Sequence, residues 1–261
     1  MIRKLKQVFI IINVNMLVIT VLAVASTYLC RRFQLTASFP LTLIATAVIF
    51  PIVFSIGGAY KRRENALVKY GSIKAHGRAI FFATRDWLEN TDSDVQEKVK
   101  SLLGDLLKAC RKMFAAPIAD MPAHEEEVYA ILSRLSTFIK GDLRGKGLPT
   151  GEVSRCNQFL SKMILAFEDI KHIYQYRTPR TLRAFSDFFV TVLPILYGPY
   201  FAAIGKDFSN EGLVYVMPVV FTMILVSLDN IQEHLENPFD QVGEDDIVIN
   251  AEKFVDRLAL E

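Results

Sequence analysis

The sequence predicts an all-α integral membrane protein, with four membrane-crossing helices and a helical domain between the second and the third. Three observations carry this expectation. Residues 8–29 and 33–60 contain no charged side chain, and neither do residues 188–205 and 212–228. A bilayer core is crossed by roughly 20 apolar residues in a helix; the first two runs exceed that length and the last two sit at its lower edge. Between the pairs lie about a hundred polar residues whose apolar members recur three and four apart, the helical period. No stretch alternates with a period of two, so no strand is predicted.

Composition agrees. Of 261 residues, 51% are hydrophobic and 22% charged, which fits spans joined to a soluble helical portion. The net charge of +2 gives no sign of a nucleic-acid partner. The three cysteines, Cys30, Cys110 and Cys156, are scattered and odd in number; they read as reduced thiols rather than a disulfide or metal set.

The first span covers about residues 7–29. Ala23-Val24-Ala25 resembles a signal-peptidase site, but the apolar run outlasts the 7–15 residues or so of a signal peptide, so an uncleaved helix is expected. The second span starts near Pro40, because proline suits the first turn of a helix, and ends in Lys61-Arg62-Arg63. Pro51 should kink it. Basic residues favour the cytoplasmic side. Arg3, Lys4 and Lys6 before the first span and Lys61, Arg62, Arg63 and Lys69 after the second place both clusters there, leaving Arg31 and Arg32 outside.

The helical domain reads in four parts. Residues 65–88 continue the second span. Residues 93–114 put Val95, Val99, Leu102, Leu103, Leu106, Leu107 and Cys110 on one face, with Ser93 as a cap. Pro117 and Pro122 break the chain. Residues 125–139 form a helix with Tyr129, Leu132 and Leu135 inward; 141–151 is a glycine-rich loop; 152–176 is the last helix. The third span then runs to about residue 204 and the fourth covers about 212–230. The expected organisation is a first helix pair at 1–60, a cytosolic helical domain at 61–176, a second pair at 177–230 and a cytosolic C-terminal segment at 231–261. Both termini are then cytoplasmic.

Polar groups inside hydrocarbon are costly and mark packing contacts or water paths. Asn13 and Asn15 in the first span read equally as interhelical hydrogen bonds or as pore groups. Asp187 has Arg183 four residues earlier, a local ion pair. Phe39, Leu43 and Ala47 recur every four residues, and Phe50 and Phe54 extend the stripe; periodicity alone favours helix packing. Asp229, Glu233 and Glu236 share a helical face, and Glu244, Asp245 and Asp246 follow Gly243. Hard cations take such oxygens, but the spacing matches no EF-hand, and a solvated acidic loop is the plainer reading.

Three stretches together resemble the bestrophin family, especially its bacterial members. Phe39-Pro40, with the run to Tyr60-Lys61-Arg62 and on through Gly71, Arg78 and Trp87, is similar to the family's second span and its cytosolic extension. Arg177-Thr178-Pro179 is similar to the Arg-x-Pro before the third span. Asp229, Glu233 and Glu236-Asn237-Pro238-Phe239 resemble its Asp-x-x-x-Glu-x-x-Glu-[Asn/Asp]-Pro-Phe signature. The resemblance implies a homopentamer in a membrane, the bacterial inner membrane, with one axial pore for monovalent ions, chloride first among them. It puts a hydrophobic neck at Phe39, Leu43, Ala47 and Phe50, and a cytosolic aperture at Thr178. Arg31 and Arg32 would form a cationic outer vestibule. Ala47 is smaller, and Thr178 more polar, than the family's residues there. The family's calcium clasp continues directly from Asn-Pro-Phe, whereas here Asp240-Gln241-Val242 precedes Gly243. Calcium at Glu244, Asp245 and Asp246 is therefore the one metal entertained, and no cofactor is required.

Two alternatives stay open: a cation-selective channel of the same build, and a non-conducting scaffold or sensor that binds a partner through its helical domain. An enzyme is not expected. No Walker loop, HExxH or nucleophile–base set occurs, and His76, His124, His172 and His234 are isolated.

Overall fold

A computed structural model describes residues 13–89, 93–176, 178–205, 212–239 and 246–260. Every regular element among them is helical. The α-helices in chain order are α1 (Val14–Arg32), α2 (Leu41–Asp86), α3 (Ser93–Ala115), α4 (Met121–Phe138), α5 (Thr150–Gln175), α6 (Arg180–Leu196), α7 (Gly198–Ile204), α8 (Leu213–Glu236) and α9 (Ala251–Leu260). They belong to two compact units, one of residues 1–61 and 178–236, the other of 62–177 and 237–261. The helix α2 has 46 residues, about 69 Å at 1.5 Å per residue. Among the described residues three helices, α1, α2 and α8, are long and apolar enough to cross a membrane, or up to four crossings if the bent pair ending in α7 is one.

In the first unit, Met16 and Ile19 of α1, Val48 and Ile52 of α2, Val190 and Leu193 of α6, Tyr197, Phe201 of α7 and Leu225 and Val226 of α8 form one buried cluster. The third span was expected as a single helix to about residue 204; the structure breaks it at Tyr197. The cause is Pro199, which has no N–H for the Ile195 carbonyl four residues back. Ser26 on α1 replaces it, its Oγ donating to Ile195 O at 2.8 Å. Gly198 makes this approach fit: a Cβ there would collide with Ser26 Oγ and lie 3.0 Å from the Ser26 carbonyl carbon. Small residues at a close helix crossing are the usual device in membrane proteins.

The helix α1 ends in a Schellman turn. Leu35 N bonds to Cys30 O at 2.8 Å and Gln34 N to Arg31 O at 3.3 Å, which requires Gln34 at φ 59°, a conformation usually given to glycine or asparagine. Arg31 and Arg32 occupy the last turn, where positive charge suits the helix dipole.

The second unit is built on the face predicted for α3. Val95, Val99, Leu102, Leu103, Leu106, Leu107 and Cys110 are all buried, against Leu132, Leu135 and Phe138 of α4, Met163 and Phe167 of α5, and Phe254 and Leu258 of α9. Burial pushes the Cys110 thiol up to about 12 and the Cys156 thiol up to about 11, so neither is a thiolate at neutral pH.

Three local expectations are corrected. Pro122 starts α4 instead of breaking it, sitting in its first turn, where the absent N–H costs nothing. The expected 141–151 loop shrinks to 146–149, because a π-helical turn, Ile139–Leu143, carries the chain onward with Ile139 and Leu143 buried. Tyr129 does not point inward; it is 38% exposed, its ring edge against Phe167 and its hydroxyl donating to Glu168.

That hydroxyl belongs to an ion network. Lys171 Nζ lies 2.6 Å from Glu168 and 2.9 Å from Glu125. Burial pushes the Glu168 carboxyl up, but hydrogen bonds from Lys171 and Tyr129 outweigh it and the net pKa is lowered. Its stabilisation is therefore present above the ordinary value of 4.5 and is lost as pH falls through the depressed folded value.

Gly198→Ala should lower stability by about 1–3 kcal/mol, read as thermal unfolding in detergent; an unchanged transition would show that the α1 crossing relaxes freely. Lys171→Met should cost about 1–3 kcal/mol at pH 7, and the gap to the parent protein should close as pH falls through the depressed folded value of Glu168. A gap constant with pH would remove Glu168 as the partner.

Candidate functional site

The apolar first third of α2 is covered on one side only. Val48 and Ile52 are buried at 2% and 0% exposure, while Leu43, Phe50 and Phe54 are 69%, 60% and 65% exposed; Ala47 is exposed with them. Spacings of four, three and four put these on one helical face. Phe50 and Phe54 meet edge-on, centroids 4.6 Å apart. Phe39 differs from the other neck positions. It precedes α2 and is half-buried, held by the rings of Tyr197 at 5.0 Å and Tyr200 at 5.6 Å. The tyrosines were not foreseen as its neighbours; nothing in the spacing of the two segments points to them. Thr178 is buried, and Arg31 is half-exposed and Arg32 exposed.

A second feature of the same unit is an open cleft of about 460 Å³, lined among others by Asn13, Asn15, Arg183, Asp187, Asp229 and Glu233. Its polar groups come from α6, α8 and the start of α1. Asn13 caps α1, its Oδ1 accepting from Met16 N at 2.8 Å, while its Nδ2 donates to Asn230 Oδ1 on α8 at 2.9 Å. That is the interhelical hydrogen bond foreseen for it. Asn15 lines the cleft and is exposed.

Arg183 makes the foreseen ion pair with Asp187, Nε to Oδ1 at 3.0 Å. The structure adds two partners across to α8: Glu233 at 3.7 Å and Glu236 at 3.4 Å. Gln232, fully buried, donates to Glu236 at 3.1 Å. Asp229 Oδ1 is buried without a hydrogen-bond partner. One guanidinium thus faces four carboxylates, an arrangement that attracts cations and holds α6 to α8. Asp229, Glu233 and Glu236 were legible in sequence as one face; that Arg183 would meet them was not.

Glu244 and Asp245 lie outside the described residues, as do Arg3, Lys4, Lys6 and Arg177; Asp246 is half-buried. Among the described residues no three His, Cys, Asp or Glu side chains are placed to hold a metal ion.

These helices define a class: a helical membrane protein in which one long helix carries an apolar span into a helical domain. No protein-family model and no curated sequence matches the chain. Solved structures do. A bacterial bestrophin homologue from Klebsiella pneumoniae superposes with a TM-score of 0.74 at 18% identity, covering 94% of this chain and 96% of that one. A single-residue variant of the Klebsiella pneumoniae homologue gives 0.74 at 19% identity, over 93% and 95%, and a structure described as a membrane protein gives 0.71 at 19%, over 97% of each. The chain has the bestrophin fold, as its motifs implied.

Arg183→Gln should lower stability by about 1–3 kcal/mol, since it leaves partly buried carboxylates unpaired, and adding Glu236→Gln should restore part of that. Equal thermal transitions for the parent and Arg183→Gln would show that the pairing contributes nothing.

Proposed function

We propose that the chain is the subunit of a pentameric ion channel that passes chloride or another monovalent anion along a central axis. The observation that carries this reading is the uncovered apolar face of α2, Leu43, Ala47, Phe50 and Phe54, on the segment where the bestrophin resemblance puts the neck. Five such faces around an axis make a greasy constriction, which can gate by dewetting. Aromatic edges carry partial positive charge, so Phe39, steadied by Tyr197 and Tyr200, favours an anion at the mouth without a fixed charge. Thr178 is the proposed cytosolic aperture. Arg31 and Arg32 form the outer vestibule, where ten charges attract anions over roughly a Debye length. The membrane is then crossed four times, with both termini cytoplasmic, and the two helix pairs and the 61–176 domain keep the limits given above.

A cation-selective channel is the second reading, favoured by the four carboxylates against one guanidinium in the α6–α8 cleft. Planar-bilayer recordings of the purified protein separate the two, because the sign of the reversal potential under a salt gradient gives the permeant charge. Leu43→Ala should raise single-channel conductance by about two-fold or more through a wider neck, and Phe39→Ala should raise it as well. Unchanged currents in both would move the constriction elsewhere, and no conductance from intact oligomers would overturn the channel reading.

A further inference from the structure

The second unit holds a cleft of about 610 Å³ between the 70–78 stretch of α2 and the helix α9. Ten residues line it, and four are cations: Lys74 and Arg78 from α2, Lys253 and Arg257 from α9. Among the described residues no acidic side chain lines it. Several surface cations of this unit are paired with acids: Lys69 with Asp169, Lys98 with Asp142, Lys112 with Glu127 and Arg111 with Glu252. The last pair matters here. Glu252, the acid nearest in sequence to Lys253, is drawn to α3 and leaves α9 to present cations alone to the cleft. Lys74, Lys253 and Arg257 make no ion pair with any described residue.

The spacing explains the convergence. Tyr70, Lys74 and Arg78 are one turn apart on α2, and Lys253 and Arg257 are one turn apart on α9, so each helix turns a single stripe to the cleft. Aromatic rings steady two of the cations. Lys74 Nζ lies 4.2 Å from the Tyr70 ring centre, and the Arg78 guanidinium 5.9 Å from that of Phe254. Asn250 caps α9, its Oδ1 accepting from Lys253 N at 2.7 Å, so the positive end of the α9 dipole opens beside the same space. Gly71 leaves its floor bare, with no atom within 4 Å of a Cβ built there.

We propose that this cleft binds a small multivalent anion carrying two or more phosphates. Converging cations, of which Lys74, Lys253 and Arg257 make no ion pair with a described residue, repel one another unless an anion of several charges sits among them. A monovalent halide neutralises a single charge, and the volume falls in the range of small-molecule sites. Charge-assisted hydrogen bonds from Arg and Lys to phosphate oxygens are the strong contact such a set provides. The phosphates come either from a free polyphosphate or from a phosphorylated lipid headgroup. Binding here does not depend on ion conduction and is measured without it.

The test uses the full chain purified in detergent, titrated calorimetrically with inorganic tripolyphosphate, and in parallel incorporated with vesicles containing or lacking a phosphatidylinositol bisphosphate. The parent protein should bind tripolyphosphate in excess chloride. Lys253→Gln with Arg257→Gln, both exposed, should weaken binding at least about ten-fold. Gly71→Gln changes no charge and fills the floor; it should weaken binding similarly, with its thermal transition in the absence of ligand kept near the parent's. Binding of the free anion assigns a soluble ligand, and response to the bisphosphate lipid alone assigns a headgroup; either supports the site. No binding of either probe overturns it. So does binding that survives both variants. Loss on charge removal without any effect of Gly71→Gln reduces the cleft to diffuse attraction and overturns it too.

Discussion

A backbone or side-chain polar group left without a partner in hydrocarbon costs several kcal/mol, and the spanning unit is organised around meeting that demand. The break at Tyr197 shows how. Pro199 takes a donor away from Ile195 O, and Ser26 supplies another from a different helix. The substitute works only because Gly198 lets α1 and α7 close in. A covalent property of one residue thus fixes a helix crossing. The same demand explains Asn13, whose two side-chain functions serve the end of α1 and Asn230 on α8, and Arg183, whose charge is matched on its own helix and across to α8.

In the second unit the arrangement differs. There the apolar face of α3 is the organising surface, and ion pairs sit at its rim. Partly exposed pairs of this kind contribute little each. Lys171 is the exception: it is well covered and holds Glu125, Glu168 and Tyr129 together. Its partners come from α4 and α5, so the network ties the two helices where the apolar contact ends.

The parts legible in sequence were those set by one helix at a time. The buried face of α3 follows from period alone, and all seven residues foreseen are inside. Three of the four apolar runs fall on helices long and apolar enough to cross a membrane, and the Asp-x-x-x-Glu-x-x-Glu spacing gave the acidic face of α8. What failed needed a second element. Gly141 and Gly145 read as loop because glycine lowers helix propensity, yet Ile139 and Leu143 gain enough by burial to carry the helix through. Tyr129 lies near the edge of the stripe of Leu132 and Leu135, and Glu168 and Lys171 on α5 decide which way it turns. Arg183 was visible with Asp187 four residues on; its partners on α8 are some fifty residues away, and no local pattern joins them. The ring neighbours of Phe39, Tyr197 and Tyr200, come from a distant segment, and no local pattern joins them to it either.

The first third of α2 carries the final argument. A helix apolar on every side needs an apolar or protein environment on every side. Its own chain covers Val48 and Ile52 and leaves Leu43, Ala47, Phe50 and Phe54 bare. That face is open to lipid or to further copies of the chain, and Pro51 lies within it. Pro51 has no N–H for the carbonyl of Ala47, a residue on the bare face itself. In a membrane such a freed carbonyl is met by a neighbouring helix, a hydroxyl side chain, an ordered water or a local change of helix winding. Beside an axial path that water and ions enter, it is solvated, and it adds a ring of partial negative charge where the proposed neck is widest. The ring sets a requirement on any permeant anion, which must pass it by virtue of the aromatic edges and the outer arginines.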